Sequence, residues 1–227
     1  TIESNGILLI PSFAVERAQL LMYYLWQLKN ARSIPDIPVY LDSPMGANVL
    51  KILHHSSKWH KLSAADCEEM CRNIKVTTSY KDTLEIMRDS KPKVIIAGSG
   101  MVNGGRILNY LAQYSYKETT TILLAGYQAE GTNGRHLQEG AEELKIYGKY
   151  YRVKAKVDTL HGLSAHADQD ELLNWLSEIQ SAPQKIFITH GEPHPADALR
   201  VKIKDTYGWE AKVPKLYEIE ELNQKTE

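Results

Sequence analysis

Gly6-Ile7-Leu8-Leu9-Ile10 is an unbroken apolar run stopped by Pro11-Ser12-Phe13. The chain repeats the device twice, with Lys93-Val94-Ile95-Ile96-Ala97 before Gly98-Ser99-Gly100 and Thr121-Ile122-Leu123-Leu124-Ala125 before Gly126-Tyr127-Gln128. Apolar runs without alternation mark strands covered on both faces, as in a parallel sheet between two helix layers. Helical stretches separate them. Ala14 to Asn30 carries a stripe of Leu20, Leu21, Tyr24, Leu25 and Leu28, and Met45 to His55, Ser79 to Arg88 and Arg106 to Tyr114 read likewise. Ser63 caps a further helix to about Asn73, with Asp66 placed as in a capping box. Short strands fit Val39-Tyr40-Leu41 and Ile74 to Thr77. Strands alternating with helices predict an α/β fold with a parallel, doubly wound sheet.

The rhythm changes after Glu142. From Tyr151 to Val157 odd positions are apolar while Arg152, Lys154 and Lys156 are charged, a period of two that predicts a half-solvated antiparallel strand. A domain boundary is placed near residue 153, dividing the chain into 1–153 and 154–227. The second part reads as a helix from Asp168 to Glu178, a strand from Lys185 to His190, a helix from about Pro195 to Tyr207 and a last strand from Lys215 to Ile219.

Composition bounds the function. The 227 residues are 43% hydrophobic and 24% charged, enough to bury a core. A net charge of −1 advertises no global basic field, although a local basic groove is compatible with it. Cys67 and Cys71, four apart on a helix, read as packing residues, which fits a reducing, cytoplasmic compartment. No apolar stretch is long enough to cross a bilayer and no secretory leader is evident, so no membrane role is expected. A strand so soon after Thr1 reads as the beginning of a piece of something longer.

The chemistry is expected at strand ends, where α/β folds bind ligands. Gly98-Ser99-Gly100-Met101-Val102-Asn103 sits where a dinucleotide turn would, but Asn103 occupies the third glycine position. Three readings stay open for it: a nucleotide-dependent enzyme, a turn used only for packing, and a turn that brings backbone N–H groups and Ser99 to a phosphate. Gly126 to Arg135 repeats the arrangement, with Thr132 as a helix cap and Arg135 able to reach a phosphate. Ser12, Phe13 and Arg17 follow the first strand onto the same edge; a hydroxyl, an aromatic face and a guanidinium suit single-stranded nucleic acid, while a solvated helix face explains Arg17 equally. His166, between Ser164 and Asp168, and His190, at the end of a strand, are candidate proton carriers or metal ligands. A capping role for His166 and a backbone-bonded buried role for His190 are the alternatives. Two histidines do not make a zinc site, which needs about three protein ligands. His54, His55, His60 and His136 read as surface or packing residues.

Five segments occur in order: Ile10 to Gln19, Gly98-Ser99-Gly100-Met101 with Gly104-Gly105-Arg106, Gly126-Tyr127-Gln128 with Gly131-Thr132 and Gly134-Arg135, Ser164-Ala165-His166-Ala167-Asp168, and Thr189-His190-Gly191-Glu192. Together they resemble the β-CASP ribonucleases of the metallo-β-lactamase superfamily over nearly the whole chain. The resemblance implies RNA phosphodiester hydrolysis by two zinc ions between a metallo-β-lactamase domain and an inserted β-CASP domain. It makes residues 1–153 most of the β-CASP domain and 154–227 the returning, partial αββα metallo-β-lactamase segment. It makes His166 the catalytic histidine that contacts the scissile phosphate and assists leaving-group protonation, His190 a zinc ligand, and Ser164 a donor to the phosphate. Ser12, Phe13, Arg17, Ser99, Gly100, Thr132 and Arg135 are then the RNA-holding set.

The family's H-x-H-x-D-H motif, a further zinc histidine, the bridging aspartate and the first β-CASP acidic residue are absent from this sequence. His161 stands where relatives often have glycine. The expectation is therefore the C-terminal part of a longer nuclease, partnered by its upstream metallo-β-lactamase half. Alone it is expected to be inactive, to bind zinc weakly or not at all, and to expose a cleft face on which two copies can pair. A non-catalytic RNA-binding or scaffold member of the superfamily is the alternative.

Overall fold

A computed structural model describes residues 1–222. The chain divides into two compact units, Thr1–Ser164 and Ala165–Glu227. The first unit runs β1 (Ile7–Pro11), α1 (Arg17–Asn30), β2 (Val39–Asp42), α2 (Pro44–His55), a 3-10 turn (Ser57–Trp59), α3 (Ala64–Arg72), β3 (Lys75–Thr77), α4 (Tyr80–Arg88), β4 (Lys93–Ala97), α5 (Ile107–Tyr114), β5 (Thr121–Leu124), α6 (Asn133–Gln138), β6 (Glu143–Ile146), β7 (Lys149–Arg152) and β8 (Lys156–Thr159).

Six strands form one parallel sheet in the order β3-β2-β4-β1-β5-β8. Side chains alternate between its faces. Ile7, Leu9, Ile95, Ile122 and Leu124 pack with Ile86 of α4, Ile107 and Leu111 of α5 and Leu137 of α6. Ile10, Val39, Leu41, Val94 and Ile96 pack with Leu21, Met22 and Trp26 of α1, Leu50 of α2 and Met70 of α3. Both faces are covered, so the doubly wound reading holds. Each fully buried aliphatic side chain contributes about 1.5–3 kcal/mol.

Local chemistry fixes the helix starts. Ser43 Oγ accepts from Gly46 N at 3.0 Å to start α2. Ser63 Oγ accepts from Asp66 N at 3.1 Å to start α3. Asp66 does not complete a box there: it takes the Ser63 hydroxyl at 2.6 Å rather than a backbone N–H. Ser79 and Asp82 do form the reciprocal box at α4. Cys67 is buried and Cys71 packs against the α1–α3 core, as expected of packing thiols. Burial pushes the Cys71 thiol up to about 11.

The stretch after Glu142 departs from expectation. The antiparallel strand expected over Tyr151 to Val157 is two elements. β7 closes a hairpin on β6, and β8 joins the main sheet parallel to β5. Between them the N–H groups of Lys154 and Ala155 both donate to Ser115 O at 2.8 Å, which turns the chain off the hairpin. Tyr151, Val153, Ala155 and Val157 all pack on the same core, so the period of two passes unbroken through the turn and conceals it.

In the second unit, α7 (Gln169–Ser177), β9 (Ile186–Phe187), α8 (Pro193–Tyr207) and β10 (Ala211–Lys212) enclose a small core of Leu173, Leu176, Ile188, Ala196 and Ile203. β9 and β10 pair in parallel. The strand expected over Lys215 to Ile219 is a turn. Glu218 N donates to Lys215 O at 3.0 Å, Lys215 N donates to Glu218 Oε2 at 2.8 Å, and Tyr217 has φ 65°. Leu216, Tyr217 and Ile219 are exposed, so no face was available to bury a strand there. Among the described residues no helix is long and apolar enough to cross a membrane.

Candidate nucleic-acid interface

β4, β1 and β5 are adjacent and parallel, so the turns that follow them share the carboxyl edge of the sheet. α1 leaves β1 toward one face, while α5 leaves β4 toward the other. Chain connections that diverge in this way open a crevice at the strand ends, the usual ligand position of such sheets.

The three turns are laced together. Ser12 N donates to Ala97 O at 2.9 Å. Gly100 lies under the Phe13 ring so closely that a Cβ there would sit 2.7 Å from it. Gln128 is buried, and its Nε2 donates to Gly100 O at 3.1 Å and Gly126 O at 3.0 Å. Asn103, the residue that breaks the dinucleotide spacing, accepts from Asn133 N at 2.8 Å through its side chain. Gly134 N donates to Met101 O at 3.1 Å, and Arg135 N to Thr132 Oγ1 at 3.2 Å. The first N–H groups of α6 are thus satisfied inside the protein. Within the Gly98 turn Ser99 N, Val102 N and Ile107 N are bonded to Gly104, Ser99 and Gly98 carbonyls. Those amides are engaged, which shifts the grip on any anion to side chains.

Phe13 is 46% exposed and presents an aromatic face. Arg17, at the start of α1, is half-buried, and its Nη1 is buried with no hydrogen-bond partner. An orphaned guanidinium nitrogen is costly unless an acceptor joins it. Arg135 lies 3.8 Å from Glu139 and 5.9 Å from the centroid of the Tyr127 ring, which is itself exposed. Ser12 and Thr132 are buried: the Ser12 hydroxyl donates to Phe13 O at 3.0 Å and the Thr132 hydroxyl to Ala129 O at 2.6 Å. Thr132 caps α6, as its place in the sequence suggests. Ser99 is half-buried.

One buried charge beside this edge escapes sequence reasoning. Asp42, 0% exposed at the end of β2, pairs with Arg106, the residue that leads into α5. It also accepts from Thr77 Oγ1 at 2.9 Å, Thr83 Oγ1 at 2.7 Å and Tyr110 OH at 2.6 Å. Burial, then the Asp42 carboxylate, hold the Tyr110 phenol far above its ordinary value, so it stays a donor. Arg106 also donates to Thr78 O. The guanidinium therefore ties the Gly98–Gly105 turn to the β2 and β3 ends.

In the second unit both candidate histidines are exposed on loops that lead into helices. His166 precedes Asp168, whose carboxylate accepts from Glu171 N at 2.9 Å, while Glu171 accepts from Asp168 N at 2.9 Å. His190 precedes α8 with φ 64°, a left-handed backbone uncommon outside glycine and enriched for His, Asn and Asp. Neither ring is locked in the core. Ser164 ends the first unit and is exposed. Among the described residues no three side chains of His, Cys, Asp or Glu come together to hold a metal ion. The donors present therefore do not fit a resident zinc, which needs about three ligands.

Residues 18–137 match the family described as the Beta-Casp domain, more than half of the chain. The chain belongs to the β-CASP family. Residues 150–214 match a second family, the Zn-dependent metallo-hydrolase RNA specificity domain. Among curated relatives, ribonuclease TTHA0252 of Thermus thermophilus is 34% identical over 88% of this chain and 46% of its own length. Transcription termination factor FttA of Methanosarcina mazei is 31% identical over 85% of this chain and 32% of its own. FttA of Pyrococcus abyssi is 30% identical over 94% and 35%. The chain thus spans about a third to a half of the length of these relatives. These relatives carry the names of a ribonuclease and of a transcription termination factor, and the second matched family is named for RNA specificity.

Proposed function

We propose that this β-CASP chain is the RNA-holding part of a metal-dependent ribonuclease that hydrolyses phosphodiester bonds, with residues 1–153 the β-CASP part and 154–227 the returning metallo-β-lactamase segment. The observation that carries the reading is the interlocked turns at the ends of β4, β1 and β5, beside which Arg17 Nη1 is buried without a partner. A guanidinium suits a phosphate oxygen, and the exposed Phe13 face, on the turn that leads to Arg17, suits a stacked base. Arg135 adds a second cation and Tyr127 a second ring. Ser12, Ser99, Gly100 and Thr132 shape the turns, and Ser164 donates to the phosphate.

His166 supplies or stabilises the proton on the departing oxygen, a role open to an exposed imidazole near neutral pH. His190 serves as one ligand to zinc, whose remaining ligands belong to a metallo-β-lactamase portion of a longer protein. Bound zinc would supply Lewis-acid and water-activating chemistry. The Zn-dependent description of the second matched family fits this assignment, and the free thiols of Cys67 and Cys71 fit a cytoplasmic compartment.

The test has two parts. The chain as it stands is expected to bind single-stranded RNA, to purify without stoichiometric zinc and to leave RNA intact. Stoichiometric zinc with cleavage abolished by a chelator would overturn the division of labour. In a longer protein that cleaves RNA, His166→Ala is expected to lower turnover by about 10²–10⁴-fold with RNA affinity little changed. Unchanged turnover would remove His166 from the mechanism. A longer protein that binds RNA and never cuts it would favour the non-catalytic reading.

A further inference from the structure

We propose that the end of α2 and the turn after it form a second binding surface for single-stranded RNA, built on Trp59. The surface is separate from the three turns described above. Ser43 starts α2 at the carboxyl end of β2, and its 12 residues carry the chain about 18 Å back along the sheet face. The helix ends in His54 and His55, and the 3-10 turn follows.

Three observations converge there. Trp59 is 90% exposed, a large aromatic face with nothing covering it. Its presentation is held by the backbone. Trp59 N donates to Ser56 O at 2.8 Å, and the next residue clamps the turn: His60 Nδ1 accepts from Leu62 N at 3.2 Å, which leaves Nε2 to donate to Leu53 O at 3.0 Å. Between Asp42 and Asp66 the chain contains no carboxylate, although 28 of its 227 residues are acidic. That span carries Lys51, Lys58 and Lys61, and no ion pair among the described residues involves any of the three. The acidic residues at the neighbouring helix are otherwise engaged: Asp66 with Ser63, Glu68 with Arg72, Glu69 with Asn30. Ammoniums without ion-pair partners, close in sequence to an exposed indole on a backbone-bonded turn, are the pairing that single-stranded nucleic acid uses, phosphates on the cations and a base on the ring. Stacking on the ring tolerates any base, so the ligand is defined by its backbone charge and unpaired bases, not by its sequence.

The test is fluorescence anisotropy of a labelled oligouridine against the chain, across a salt series. Trp59→Ala is expected to weaken binding about tenfold or more, and Trp59→Phe to restore most of it. Lys58→Ala with Lys61→Ala is expected to lower the slope of log affinity against log salt by about 1.4, roughly 0.7 for each phosphate no longer neutralised. All of these side chains are exposed, so folding is not at stake. Arg17→Ala, assayed in parallel, separates this site from the other. If Arg17→Ala weakens binding and Trp59→Ala does not, the second surface is refuted while the turns keep their role. The opposite pattern upholds the surface and removes the turns. Binding of polyglutamate tighter than oligouridine, or no RNA binding at all, would overturn the proposal.

Discussion

Single residues carry the charge that positions the turns. Arg106 and Asp42 form a pair in which the carboxylate is fully buried and three hydroxyls complete its shell. Removing one partner of a buried pair leaves an uncompensated charge, at a cost of about 3–5 kcal/mol. Arg106→Met is expected to destabilise the chain by that amount in urea unfolding; a loss below about 1 kcal/mol would mean the hydroxyls alone suffice. Lys93 is a second buried cation, at the foot of β4. Its ammonium donates to the Ile86 and Asp89 carbonyls at the end of α4 and meets the Asp89 carboxylate at 3.1 Å. Burial pushes this lysine below its ordinary value, yet the helix end needs its donors. Lys93→Met should cost about 1–3 kcal/mol for each carbonyl left unpaired. The Lys91 amide, and then Lys93, hold the Asp89 carboxyl below its usual range. A depressed carboxyl contributes stability above its unfolded value and loses it as pH falls through the folded one. Asp89→Asn should therefore flatten the loss of stability below about pH 4, read by thermal midpoints across pH.

At the scale of elements, the turns work as a unit because Gln128 spans two of them. Gly134 makes room for it: a Cβ there would lie 1.6 Å from Gln128 Oε1. Gly134→Ala should expel the amide, break its bonds to Gly100 and Gly126, and speed hydrogen exchange across 98–105 and 126–132. Adding Gln128→Ala removes the clash, so the double variant should be less destabilised than the sum of the singles; simple additivity would show that the glycine answers to backbone conformation instead. The strands were legible because runs such as Val94-Ile95-Ile96 are buried on both faces and no helix needs that composition. The turns were legible as glycine-rich strand ends. What held them was not. Asp42 meets Arg106 64 positions away, and Gln128 reaches back 28, distances at which local pattern has nothing to say. Asp42 directly follows the Val39-Tyr40-Leu41 strand signal and Arg106 opens a helix signal, and neither position points to the other. His166 and His190 stood out for the opposite reason: one directly precedes a helix signal and the other ends a strand signal, both local patterns, while the left-handed backbone of His190 showed only in the fold.

At the scale of the molecule, the six-stranded sheet has two edge strands, β3 and β8. An unpaired parallel edge invites a second copy, and nature blunts such edges with charge. β8 carries Lys156 and Asp158, exposed and paired with each other at 2.9 Å. Val157, the residue between them, packs inward, which leaves the charged pair on the other side of the strand. The pair adds little to stability, since exposed ion pairs contribute about 0–1 kcal/mol. Its use is to keep the edge single. Lys156→Val with Asp158→Val should leave the thermal midpoint nearly unchanged while shifting the chain toward dimers and larger species in sedimentation velocity. If the double variant sediments like the parent at the same concentration, the edge is protected by something other than its charges.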